Sequence, residues 1–160
     1  MKFMNQMLLG ALLAVATLLA GCQKQYIPNT EIIDNDFNRD VLSFCERYRH
    51  GVEDMNTGML LSVASPRYFD NSGTPTGDDD VDKAGLEKVL NARFSPIQSI
   101  RLEMIYRAIF EENTVIHVEY TYTMSFQYTL DGETKWKNHT GDNRLDLERT
   151  EDGFLILSGM

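Results

Sequence analysis

Hydrophobic and polar residues alternate in three regimes along the chain. Met7–Ala20 is free of charge and rich in Leu and Ala. From Asp36 the spacing becomes helical: Phe37, Val41, Phe44, Cys45, Tyr48 and Val52 recur at steps of three and four, which places all six on one face of a helix over Asp36–Asp54. Asn35 or Asp36 offers a side-chain oxygen to the free amides of its first turn. A shorter helix fits Thr57–Ala64, stopped by Ser65-Pro66. Arg67–Asp70 reads as a brief extended segment, and residues 71–80, rich in Gly, Pro, Asn and Asp, as a loop. A third helix is expected from about Val81 to Phe94, with Leu86, Val89, Leu90 and Phe94 facing the core.

Beyond Phe94 the period changes from 3.6 to 2. Ile100, Leu102, Met104, Tyr106, Ala108 and Phe110 alternate with Arg101, Glu103, Ile105, Arg107 and Ile109, as in a strand with one buried face. A long second strand covers Thr114–Leu130, and Asp131-Gly132 is a strong hairpin signal. The returning strand, Thr134–Arg149, carries Trp136 and the pair Leu145 and Leu147 on opposite parities. A bulge near Gly141-Asp142 is expected to reconcile them. A last strand follows at Phe154–Ser158. The fold class is therefore α+β: three helices, then a four-strand antiparallel meander.

The charge-free leader, at about 14 residues, is shorter than the about 20 needed to cross a bilayer as a helix. Lys2 precedes it, and Leu19-Ala20-Gly21-Cys22 ends it. That ending resembles the lipobox of bacterial lipoproteins. The resemblance implies that residues 1–21 are a signal peptide and that Cys22 is lipidated and becomes the first residue of the mature protein. Acyl chains contribute about 0.8 kcal/mol per buried methylene, so two or three hold a protein on a membrane. Gln23 follows the cysteine, which implies the periplasmic face of the outer membrane. Residues 22–35 then read as the lipidated N-terminus and a tether, reaching roughly 45 Å if extended, and residues 36–160 as one domain.

Charge and cysteine use narrow the picture. The formal net charge is −9, and removing Lys2 makes the mature chain one unit more acidic, which argues against nucleic acid and against adhesion to anionic headgroups. With Cys22 lipidated, Cys45 has no disulfide partner and is expected as a buried, inert thiol. No phosphate-cradling Gly-rich loop, Gly-x-Ser-x-Gly or Cys-x-x-Cys is present, and no cofactor is expected. Asp78–Asp82 lacks the glycine and glutamate spacing of a calcium loop and reads as an acidic helix N-terminus. His117 and His139, with Glu119, can meet across neighbouring strands. Two solvent-facing histidines are the simpler reading, and no metal site is assigned.

The element order over Asp36–Met160, with Tyr68-Phe69-Asp70 before a Gly-containing loop, Gly85-Leu86 in the third helix and the closing Leu145–Arg149 and Gly153–Ile156 segments, resembles the nuclear transport factor 2-like (SnoaL-like) superfamily. The resemblance implies a curved sheet wrapped around helices to make a cone; a cystatin-like sheet and helix is the alternative. Such cones serve isomerases, dehydratases, small-molecule binders and protein-binding modules, so fold alone does not give function. Tyr68, Tyr106, Tyr120, Tyr122 and Met124 are the expected pocket residues. The specific catalytic hypothesis is Asp70 as base with Tyr106 or Tyr122 as hydrogen-bond donor, against tyrosines that simply fill the core. The leading reading is a non-catalytic, membrane-anchored domain binding a partner protein or a small apolar ligand, with a small-molecule enzyme as the alternative. Expected partners are the membrane, through Cys22, and an envelope protein or a second copy meeting at Ile105, Ile109 and Val115.

Overall fold

The computed structural model describes residues 25–160; the leader and Cys22 lie outside the described residues. Among the described residues three α-helices pack on one face of a four-strand sheet: α1 (Asp36–Glu53), α2 (Thr57–Val63) and α3 (Lys83–Phe94). The sheet is a plain meander of β3 (Ile97–Glu112), β4 (Val115–Leu130), β5 (Glu133–Thr150) and β6 (Gly153–Ser158). A two-residue ribbon, β1 (Phe69–Asp70) with β2 (Val81–Asp82), closes one end.

Each helix begins on a side chain that accepts a hydrogen bond from the first turn. Asn35 receives the amide of Asn38 at 2.8 Å, Asn56 that of Met59 at 3.0 Å, and Asp82 that of Gly85 at 2.8 Å. Asp82 thus caps α3 after pairing in β2, so the helix starts two residues later than the expected Val81. The Lys83 ammonium bonds the carbonyls of Leu61 and Ala64, satisfying the open end of α2. Val41, Phe44 and Cys45 of α1, Leu60 of α2 and Leu86 of α3 meet Ile116, Val118, Leu145, Leu147 and Ile156 in one core. At roughly 1.5–3 kcal/mol per large apolar side chain, this cluster is the main source of stability.

Three expectations change. The segment 25–35 is not a free tether: Tyr26 bridges Ile33, the Ile27 amide bonds the Ile32 carbonyl at 2.9 Å, and Ile32 is buried. Glu31 reaches β3 through its amide, which donates to the Tyr106 carbonyl, and through an ion pair with Arg107. Second, the alternation of β3 does not run straight through. A register shift between Tyr106 and Ala108 inserts Arg107 as a bulge, so Ile109 turns inward onto the core opposite Val118 while Phe110 faces out opposite His117. Ile109 therefore does not join Ile105 and Val115 on an outer patch. Third, no bulge occurs near Gly141: β4 and β5 pair without interruption from Val115↔Glu148 to Leu130↔Glu133. Trp136 stays on the outer face, 59% exposed.

Candidate functional site

The unbroken β4–β5 register decides what faces the helices. Even-numbered β4 residues point inward, and opposite them on β5 stand Asn143, Gly141, His139 and Lys137, paired with Tyr120, Tyr122, Met124 and Phe126. On the other side of β4 the same residues pair with Tyr106, Met104, Leu102 and Ile100 of β3. Each inward row thus runs from apolar or aromatic on β3 and β4 to small or polar on β5. Pairing with β6 stops at Asp146↔Ser158, so β5 from Arg144 back to Glu133 is a free edge of the sheet.

Beneath these rows lies a cavity of about 380 Å³, within the size range of small-molecule sites. Its floor is Leu102, Tyr120, Tyr122, Met124 and Phe126 from the sheet, and its wall is Tyr48 and Val52 from α1. Arg93 from α3 joins Lys137, His139, Asn143 and Met160 around the opening. Arg93 and Lys137 are exposed, and neither pairs with a carboxylate among the described residues. Gly141 is where β5 passes under the Tyr122 ring: a Cβ there would stand 3.2 Å from the ring and the hydroxyl.

The phenols differ in their partners. Burial pushes the Tyr48, Tyr106 and Tyr120 hydroxyls up from their ordinary range, so all three keep a proton to donate. Tyr106 donates to Glu46 at 2.8 Å. Tyr120 accepts from the Asn143 side-chain amide at 3.1 Å, which leaves its proton free to donate. Tyr48 is only 7% exposed, lines the cavity and has no hydrogen-bond partner among the described residues. The Arg93 charge opposes part of that upward push, while the Asp70 carboxylate adds to it.

Of the five expected pocket residues, Tyr120, Tyr122 and Met124 line this cavity and the other two do not. Tyr106 faces a separate hollow between α1 and the 25–35 segment, and Tyr68 is packed in the core with its hydroxyl 3.3 Å from Asp70. The Asp70 carboxylate is not in the cavity. One oxygen accepts from the Ser72 amide at 2.8 Å and the other from the Gly159 amide at 2.9 Å as well as from Tyr68. Asp70 is therefore brought to Tyr68 and the C-terminal segment, and not to Tyr106 or Tyr122. His117 and His139 point to opposite faces of the sheet; His117 bonds Asp146 at 2.7 Å on the outer face. Among the described residues no three His, Cys, Asp or Glu side chains converge as a metal site. Cys45 is fully buried, and desolvation pushes its thiol far up. Sequence reasoning missed Tyr48, read as core, and the ring of Arg93, Lys137 and His139. Lys137, His139 and Asn143 share the parity of Leu145 and Leu147, which is the signal that would have placed them.

The architecture is that of an α+β cone with helices against the concave face of an antiparallel sheet. No family model and no curated protein matches the sequence. Solved structures do match in shape. A conserved protein from Planctomyces limnophilus superposes with a TM-score of 0.64 at 10% identity, covering 76% of this chain and 91% of that one. A protein from Catenulispora acidiphila, solved in complex with S-DNPA, gives a TM-score of 0.59 at 18% identity over 77% of this chain and 90% of that one. A third, whose name carries the nuclear transport factor 2 designation, gives 0.52 at 11% identity over 78% and 97%. The fold is the nuclear transport factor 2-like cone, and at these identities the likeness carries fold alone.

Proposed function

We propose that the protein is a lipid-anchored envelope protein whose cone binds a small apolar molecule without transforming it. The observation that carries this reading is the cavity: about 380 Å³, floored by aromatic and aliphatic side chains. No carboxylate lines it among the described residues, and the one carboxylate suggested as a base, Asp70, has both oxygens engaged elsewhere. A carboxylate-based isomerase or dehydratase needs that group within hydrogen-bond reach of its substrate; the one imidazole in the lining, His139, is exposed on the β5 edge against the Tyr122 ring. The similarly shaped protein from Catenulispora acidiphila is solved in complex with S-DNPA, which accords with ligand binding by this chain.

The anchor in this reading is the acylated Cys22, on the periplasmic face of the outer membrane. Because the chain is docked on β3 by Glu31 and paired from Gln25 onward, only the three residue steps from Cys22 to Gln25 are left to act as a tether, about 10 Å at full extension. The cone is thus held against the bilayer surface, a suitable place to accept molecules that partition into lipid. No helix among the described residues is long and apolar enough to cross a membrane.

The test is a calorimetric titration of the full chain in phosphatidylcholine nanodiscs with 2-naphthylmethanol, empty discs subtracted. Saturable one-to-one binding that is lost in Met124→Lys is expected. Absence of saturable binding, or binding unchanged by Met124→Lys, refutes the reading.

A further inference from the structure

We infer that the cavity selects organic acids: molecules with an apolar body that fills the aromatic floor and a single carboxylate that stays at the β5 edge. This inference rests on the binding role proposed above and adds the charge of the ligand to it. Its ground is an inversion of electrostatics. The chain carries 24 acidic against 15 basic residues, yet the opening of the cavity holds Arg93 and Lys137 and, among the described residues, no carboxylate. Six of the thirteen described cations, Arg39, Arg49, Arg67, Arg107, Lys135 and Arg144, pair with carboxylates; of the unpaired ones, Arg93 and Lys137 are the two that meet at this cavity. Arg93 instead donates to the Met160 carbonyl at 3.2 Å, and Lys137 makes no hydrogen bond or ion pair among the described residues.

A second observation is independent of the rim charges. The Tyr48 residue is more than nine-tenths buried and lines the cavity, and its hydroxyl has no hydrogen-bond partner among the described residues. No side-chain polar atom among the described residues is both buried and unpartnered, so this hydroxyl opens onto the cavity, where a ligand oxygen can accept its proton. Tyr120, already accepting from Asn143, has its proton free for the same purpose. The cavity therefore offers neutral donors within and cations at the opening, all acting on an anion's oxygens. A carboxylate at the opening remains partly hydrated, so it gains attraction without the full cost of burying a charge.

The competing explanation for Lys137 is that an inward-facing charge on an exposed edge strand blocks edge-to-edge association. Titration of the full chain in nanodiscs with three probes of one shape separates these ideas: 2-naphthoate, 2-naphthylmethanol and 2-naphthylmethylammonium. The expected result is that the carboxylate binds about tenfold more tightly than the alcohol and the ammonium more weakly than both. Added salt should shrink the carboxylate's advantage. Lys137→Gln, which breaks no side-chain hydrogen bond or ion pair among the described residues, should reduce that advantage at least threefold. Equal affinity for acid and alcohol, preference for the ammonium, or a Lys137→Gln variant that associates while keeping its acid preference overturns the inference and leaves the apolar-binding role standing. Failure of all three probes to bind overturns both.

Discussion

The amide of Gly159 donates to the Asp70 carboxylate across 2.9 Å, tying the residue after the last strand to the short ribbon at the cone's end. Gly159 sits at φ +94°, and a Cβ there would lie 2.0 Å from the Arg144 carbonyl oxygen. Only glycine fits that approach. Asp70 is thus a latch for the segment that carries Met160 to the cavity. Asp70→Ala and Gly159→Ala are each expected to lower stability by about 1–3 kcal/mol in urea denaturation. A wild-type midpoint in both variants would remove the latch.

Two tyrosines that sequence alone treats alike should respond differently to loss of the hydroxyl. Tyr106 donates to Glu46, so Tyr106→Phe is expected to cost about 1–2 kcal/mol and leave 2-naphthoate affinity unchanged. Tyr48 has no protein partner, so Tyr48→Phe should alter stability by less than about 0.5 kcal/mol and weaken 2-naphthoate at least threefold. Thermal melts with calorimetry on both variants check the contrast, and the reverse pattern would contradict the assignment of Tyr48 to the ligand.

Glu148 joins strand β5 to the loop after α2. Its carboxylate accepts from Ser65, which is fully buried, and pairs with Arg67. The Ser65 hydrogen bond first, and then Arg67, holds its pKa below the ordinary glutamate value. A depressed folded pKa means that the contribution is fully present above the unfolded value of about 4.3 and is lost as pH falls through the folded value. Glu148→Gln is therefore expected to be less stable than wild type by about 1 kcal/mol at neutral pH, with the difference closing below pH about 4. A constant gap across an acid titration followed by circular dichroism would argue against it.

Much of the fold follows from local pattern. The helical face of α1, the Asp131-Gly132 turn with φ of 55° and 79° and the period-2 strands are each set by neighbours in sequence. What local pattern does not carry is strand parity after an irregularity. Trp136 is a strong core former by composition, and placing it inside required a bulge that β5 does not have. Such a bulge, at Gly141-Asp142, turns Lys137 and His139 outward while leaving Asn143 with Leu145 and Leu147, and so hides the opening of the site. The true bulge, at Arg107, lies where Glu31 grips β3, a contact about 76 residues apart in sequence that no periodicity reports. The Asp70 and tyrosine pairing failed for a related reason: proximity to the cavity depends on where the C-terminal segment returns.

The lipid anchor lies outside the described residues and has its own check. Cells expressing the chain and fed an alkyne-labelled palmitate should show label and membrane fractionation for wild type. Cys22→Ser should carry no label and leave the acylated fraction, whereas Cys45→Ser, altering a buried thiol, should keep the label. Label retained in Cys22→Ser would contradict the anchor.

The central claim is that a small apolar acid occupies the space under Tyr122 and Met124. Methyl resonances of the methionines read this site by site, because Met124 and Met160 line the cavity while Met59 packs between α1 and α2. Titrating the methyl-labelled full chain in nanodiscs with 2-naphthoate should shift Met124 and Met160 along one saturating curve and leave Met59 still. A saturating shift at Met59 alone, or none at Met124, would contradict it.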